Sequence, residues 1–119
     1  MICFTLNFVK LYLFCTIQLK SLGKMDLREL ISDPNNKIID VRGSFEFEYG
    51  NVEGTLNIPL DEIPGRIEEL KQMGGTILLC CASGNRSGYA EAYLKNQGIE
   101  NVLNIGSWMD VQYLQSNVA

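Results

Sequence analysis

The chain has 119 residues, 46% of them hydrophobic, which is enough for one buried core and too few for two. Ten Lys and Arg against fourteen Asp and Glu leave a net charge of -4 with no basic run, so nucleic acid is not an expected partner. No histidine is present, which excludes Ser-His-Asp and Cys-His triads and removes the commonest metal ligand.

The four cysteines, Cys3, Cys15, Cys80 and Cys81, show neither the paired spacing of a zinc site nor the density of a disulfide-stapled secreted domain. They read as reduced thiols, and neither a metal nor a cofactor is expected. Residues 1–24 form an apolar N-terminal extension that lacks a charged leader and a small-residue cleavage site, and Lys10 splits it into runs too short to span a bilayer. Three readings stay open for it: an added strand packed on the domain, a targeting segment, or an upstream start codon ahead of a true start at Met25. The cytoplasm is the favoured location; a periplasmic or membrane-associated one, with membrane contact through this segment, follows only from the targeting reading. If the first twenty residues fold onto the domain, they are the natural place for a subunit contact.

From Met25 helices and strands alternate through a domain expected to span residues 25–119. In D-L-R-E-L-I-S, Leu27, Leu30 and Ile31 recur at helical spacing before D-P-N-N stops the helix, and the strand K-I-I-D-V-R follows. G-S-F-E-F-E-Y-G-N-V-E-G reads as a short helix with loops, and T-L-N-I-P-L as an apolar strand ended by Pro59. I-P-G-R-I-E-E-L-K-Q-M is amphipathic, with Ile63, Ile67 and Leu70 on one stripe. G-G-T-I-L-L-C is a buried strand by its unbroken apolar run; S-G-Y-A-E-A-Y-L-K-N-Q-G is a helix ended by Gly98. N-V-L-N-I-G is a last strand and W-M-D-V-Q-Y-L a closing helix. Strands separated by helices need crossover connections, so the fold class is α/β, with a mainly parallel central sheet of about five strands and helices on both faces.

Ligands of such sheets sit at the carboxyl ends of strands, which is where C-A-S-G-N-R-S places Cys81, with the next helix starting near Arg86 or Ser87. The N–H groups of Ala82, Ser83, Gly84, Asn85, Arg86 and Ser87 precede or open that helix, and with the helix dipole they stabilise an anion in the loop. The Cys81 thiolate would be that anion. Such a setting lowers a cysteine pKa from about 8.5 into the range of roughly 3.5 to 7.5, activating a nucleophile without histidine. Gly84 suits a tightly wound loop, and Arg86 supplies a fork of donors for an anionic substrate or for a salt bridge that orders the loop. Each residue alone has an ordinary structural reading, but their conjunction in one strand-to-helix loop favours function. Cys80 points opposite to Cys81 on an extended backbone and reads as buried core.

The loop C-A-S-G-N-R-S at 81–87, D-V-R at 40–42 with E-F at 46 and 47, and G-N-V-E-G-T-L-N-I-P-L at 50–60 resemble the rhodanese family, specifically its small single-domain thiosulfate sulfurtransferases of the phage-shock type. The likeness covers roughly residues 25–115, and N-I-G-S-W resembles the family's late glycine turn. Asn51 stands where a histidine is common, Gly43 and Ser44 replace an acidic-proline pair, and Ser107 replaces a second glycine. The resemblance implies that Cys81 attacks the outer sulfur of thiosulfate, and that the persulfide is held by the loop amides until cyanide or a cellular thiol takes the sulfur. A small-molecule sulfur donor and a thiol acceptor, free or on a thioredoxin-like protein, are the implied partners. By the same resemblance, Asp40 and Arg42 sit beside the loop and order it or help receive the donor, with plain strand-end capping as the competing reading. Two other functions stay open: a non-catalytic rhodanese-like module for binding or redox sensing, and a phosphatase or arsenate reductase on the same fold. Four residues between cysteine and arginine, against five in related phosphatases, count against the latter.

Overall fold

The computed structural model describes residues 26–116, so the extension at 1–24 and its three readings lie outside the described residues. Helix α1 (Leu27–Ser32) is capped by Asp26, whose side chain accepts from the Arg28 N–H at 3.0 Å. It is followed by β1 (Lys37–Asp40), α2 (Ser44–Tyr49) and β2 (Leu56–Asn57). A 3-10 segment, Leu60–Arg66, leads into α3 (Ile67–Lys71), then β3 (Ile77–Cys81), α4 (Asn85–Asn96), β4 (Val102–Ser107) and α5 (Trp108–Ser116).

Every strand pairing is parallel, in the order β2-β1-β3-β4. The sheet thus has four strands among the described residues, close to the five or so expected. β3 is central, and all five of its residues are buried. Its side chains alternate: Ile77, Leu79 and Cys81 join the core beneath α3 and α4 with Leu70, Ala90 and Leu94, while Leu78 and Cys80 join Ile31, Ile105 and Val111 beneath α1 and α5. The period-two rule thereby sends the two adjacent cysteines to opposite faces.

Two expected elements are shorter than their apolar runs. Only Leu56 and Asn57 of T-L-N-I-P-L pair as strand, because Pro59 has no N–H to give and the chain then turns away, with the Ile58 and Leu60 N–H groups bonding to the Asp40 and Val41 carbonyls at 3.0 and 3.1 Å. Pro64 and Gly65 tighten the first half of the next amphipathic stretch into the 3-10 form, leaving one α-helical turn and a half. Its stripe survives, with Ile63 and Leu70 fully buried and Ile67 packed against them. The register between β3 and β4 slips after Leu79: Leu79 pairs with Asn104 but Cys80 with Gly106, so Ile105 is an extra, bulged residue beside the end of β3. None of the described helices is long and apolar enough to cross a membrane.

Candidate functional site

Cys81 is the last residue of β3, and the chain passes from it into α4 through three residues. Gly84 makes this turn possible: at φ 94 it occupies the left-handed region, where an L side chain is strained. Its N–H then points back to the Cys81 sulfur at 3.0 Å. A Gly84→Ala substitution is expected to lower stability by about 1–2 kcal/mol, read as a reduced urea midpoint with unchanged slope. An added Cβ would lie 3.4 Å from the Gly106 Cα, an ordinary contact, so the cost comes from the backbone conformation.

The sulfur itself sits among donors. The Ser87 hydroxyl lies 3.4 Å away, at the first turn of α4. Burial alone pushes the Cys81 thiol up, but the Ser87 hydroxyl and the N–H groups of Ser87, Ser83 and Gly84 outweigh it and bring the group below its ordinary value. Cys80, one residue earlier, has no such cradle. Burial first, and the nearby Asp40 charge second, push it up to about 12. Both thiols are free. Ala82, Ser83 and Asn85 are exposed on the outside of the loop, whereas Ser87 and Cys81 are buried.

Arg86 is committed to a partner. Its two terminal nitrogens donate to the two carboxylate oxygens of Glu46, at 2.6 and 2.8 Å, a bidentate pair linking α4 to α2. Glu46 also accepts from the Gly43 N–H at 3.0 Å. The Arg86 hydrogen bond first, and that of Gly43 second, hold its carboxyl at about 2. The contribution of this pair to stability is therefore complete above about pH 4.5 and fades as pH falls towards 2.

Asp40 and Arg42, at the end of β1, form a buried pair, exposed by 0% and 4%, whose purpose is to hold α2. The Arg42 Nε and terminal nitrogen reach both Asp40 oxygens at 2.8–3.0 Å, and its other donors go to the Glu46 and Gly50 carbonyls at 3.1 and 2.7 Å. Trp108 closes the arrangement, with the guanidinium carbon 4.4 Å from its ring centroid. The order runs from Asp40 to Arg42, from Arg42 to the backbone of α2, and from Glu46 on α2 to Arg86. Arg42 therefore bears on the loop through Glu46, with its own fork turned to α2.

Beside the loop lies an open hollow of about 470 Å³ lined by Glu46, Leu60, Asp61, Arg86 and Tyr89 among others. No group of three or more Cys, Asp or Glu among the described residues could hold a metal ion. Three residues at the site carried no functional signal in the sequence reading. Glu46, Trp108 and Asn104 were visible only as parts of motifs; the Asn104 carboxamide donates to the Gly84 carbonyl at 3.0 Å and accepts from the Ser87 hydroxyl at 2.7 Å. The Arg86–Glu46 and Ser87–Asn104 partnerships join residues 40 and 17 positions apart, which no local pattern reveals.

A parallel α/β sheet with a cysteine cradled between its central strand and the next helix defines a class, and the sequence comparison agrees with it. The rhodanese-like domain family matches residues 24–112, and the chain belongs to that family. It is 38% identical over 74 residues to YrkF of Bacillus subtilis, a candidate sulfur carrier protein, covering 62% of this chain and 40% of that one. It is 33% identical over 85 residues to the tRNA uridine(34) hydroxylase of Salmonella newport, covering 67% and 24%. The chain therefore spans between a quarter and two fifths of the length of these curated relatives. Among solved structures, a rhodanese with anions from E. coli superposes with a TM-score of 0.57 at 33% identity, over 63% of this chain and 89% of that one.

Proposed function

We propose that the protein is a sulfurtransferase that carries a sulfane sulfur on Cys81, taking it from thiosulfate or a related donor. The observation that carries this reading is the Cys81 sulfur itself, buried at a strand end, within 3.0 Å of the Gly84 N–H and brought below the ordinary cysteine pKa. In the first half-reaction the Cys81 thiolate attacks the outer sulfur of thiosulfate. A sulfur–sulfur bond forms on the enzyme, the one within thiosulfate breaks, and its electron pair leaves with sulfite. The product is an anionic persulfide, and the loop amides that faced the thiolate are placed to stabilise it. In the second half-reaction a thiolate or cyanide attacks the outer sulfur and releases Cys81 as thiolate, so atoms and charge balance without a redox co-reactant. The acceptor is a cellular thiol, free or on a thioredoxin-like protein, and cyanide serves as its assay substitute.

Arg86 and the segment Ala82–Ser87 form the donor-binding loop in this reading, with Glu46 fixing the arginine and Asp40 with Arg42 fixing Glu46. The test is the intact mass of purified protein after incubation with thiosulfate. A gain of one sulfur that cyanide removes supports the assignment, and an unchanged mass with every sulfane donor tried overturns it.

A further inference from the structure

The Asn104 carboxamide has its orientation fixed by partners that cannot exchange roles. The Gly106 N–H, which only donates, faces Oδ1 at 3.0 Å, and the Gly84 carbonyl, which only accepts, faces Nδ2 at 3.0 Å. The Ser87 hydroxyl, 2.7 Å from that same Oδ1, must therefore give its hydrogen to Asn104. The hydroxyl has one hydrogen, and a second acceptor is waiting: the Cys81 sulfur, 3.4 Å from the Ser87 Oγ. A neutral thiol asks nothing of Ser87 and can donate its own S–H to the Ser87 lone pair. A thiolate needs the hydrogen that Asn104 holds.

The backbone makes room for this arrangement. The bulge at Ile105 brings the left-handed Gly106 opposite Cys80 and turns its N–H back to Asn104. A Cβ on Gly88 would stand 3.2 Å from the Asn104 amide nitrogen, so glycine leaves the carboxamide its space. Ser87 is fully buried, and water does not compete for its hydroxyl.

We propose that Asn104 is a positioning residue that sets the charge state of Cys81 through Ser87: it retains the Ser87 hydrogen while the sulfur is neutral and yields it when the sulfur becomes anionic. The hydroxyl is thus a two-position donor between an amide and a sulfur. Asn104 raises the cost of the thiolate and keeps the sulfur a stronger nucleophile than an unopposed cradle would, because nucleophilicity falls as thiol pKa falls. This deepens the reading of Cys81 as the reacting sulfur and rests on it.

The test is an ultraviolet thiolate titration of the full chain, taken as the difference from a counterpart carrying Cys81→Ser. Asn104→Ala is expected to lower the Cys81 pKa by about half a unit to one unit, the worth of one hydrogen bond no longer contested, and Ser87→Ala to raise it by a similar amount. The double variant is expected to match Ser87→Ala alone. Asn104→Ser, which keeps a polar atom near Gly106 but withdraws the oxygen from Ser87, is expected to shift the pKa in the same direction as Asn104→Ala and serves if the alanine variant does not fold. An Asn104 effect that persists undiminished in the Ser87→Ala background, or no shift in either folded Asn104 variant, overturns the proposal. The titration needs no sulfur donor, so its failure is distinct from a failure of sulfur uptake in the unmodified protein.

Discussion

Cys81→Ser is expected to abolish sulfur uptake, while Cys80→Ala leaves it in place. The two cysteines are neighbours on β3 and both are buried, yet only one of them has donors aimed at its sulfur. Cys81 has donors converging on its sulfur and titrates below its ordinary value. Cys80 lies among Ile31, Ile38 and Leu78 with the Asp40 charge nearby, and at about 12 it stays protonated at any working pH. Intact mass after thiosulfate treatment separates the two variants directly. The same contrast fixes the pH dependence: uptake by the unmodified chain is expected to fall as pH drops through the Cys81 pKa and to be level above it. Its midpoint should lie below the roughly 8.5 of a free cysteine. A midpoint at or above that value would mean that the loop donors do not outweigh burial.

Asp40→Asn is expected to cost about 3–5 kcal/mol, because it leaves the Arg42 guanidinium charged and buried without its counter-ion. A domain of this size has a total stability of only about 5–15 kcal/mol, so the melting temperature should fall by roughly 10 °C or more. The other ion pair at the site provides the comparison. Glu46 and Arg86 are exposed by 44% and 37%, and the loss of an exposed pair by Glu46→Gln should cost no more than about 1 kcal/mol. Urea unfolding of the two variants side by side checks the ranking. Equal losses would mean that the Arg42 pair is solvated in practice. The destabilised variant should also load sulfur less well, because the α2 backbone that Arg42 holds is what carries Glu46 to Arg86.

Much of this architecture was legible in the sequence, and the parts that were not share a cause. The unbroken apolar run before Cys81 marked the central strand because a strand covered on both faces has no polar side to show. The loop was legible because its working parts lie within seven consecutive residues, and Gly84 adopts the positive φ that its place in the turn suggested. α4 begins at Asn85, one or two residues before the expected start near Arg86 or Ser87, since a glycine can serve as the cap itself. The site's supports were hidden because they are set by pairing between strands. Asn104 meets Ser87 only through the register of β3 on β4 and the bulge at Ile105, and nothing in V-L-N-I-G announces a bulge. Glu46 was part of a recognised motif, but its partner is forty residues away across the sheet. Asp40 and Arg42 were expected to order the loop or to meet the donor, and the observed contacts run to α2 and Trp108.

Trp108 is the chain's one tryptophan, and its ring is stacked on the Arg42 guanidinium. A cation 4.4 Å above an indole is part of its electronic environment, so the protein's tryptophan fluorescence originates at the joint that anchors α2. The residue that closes this joint is thus also a built-in optical probe of it. A change in emission on sulfur loading, or at low denaturant before the sheet melts, would report movement at the point through which Arg86 is held.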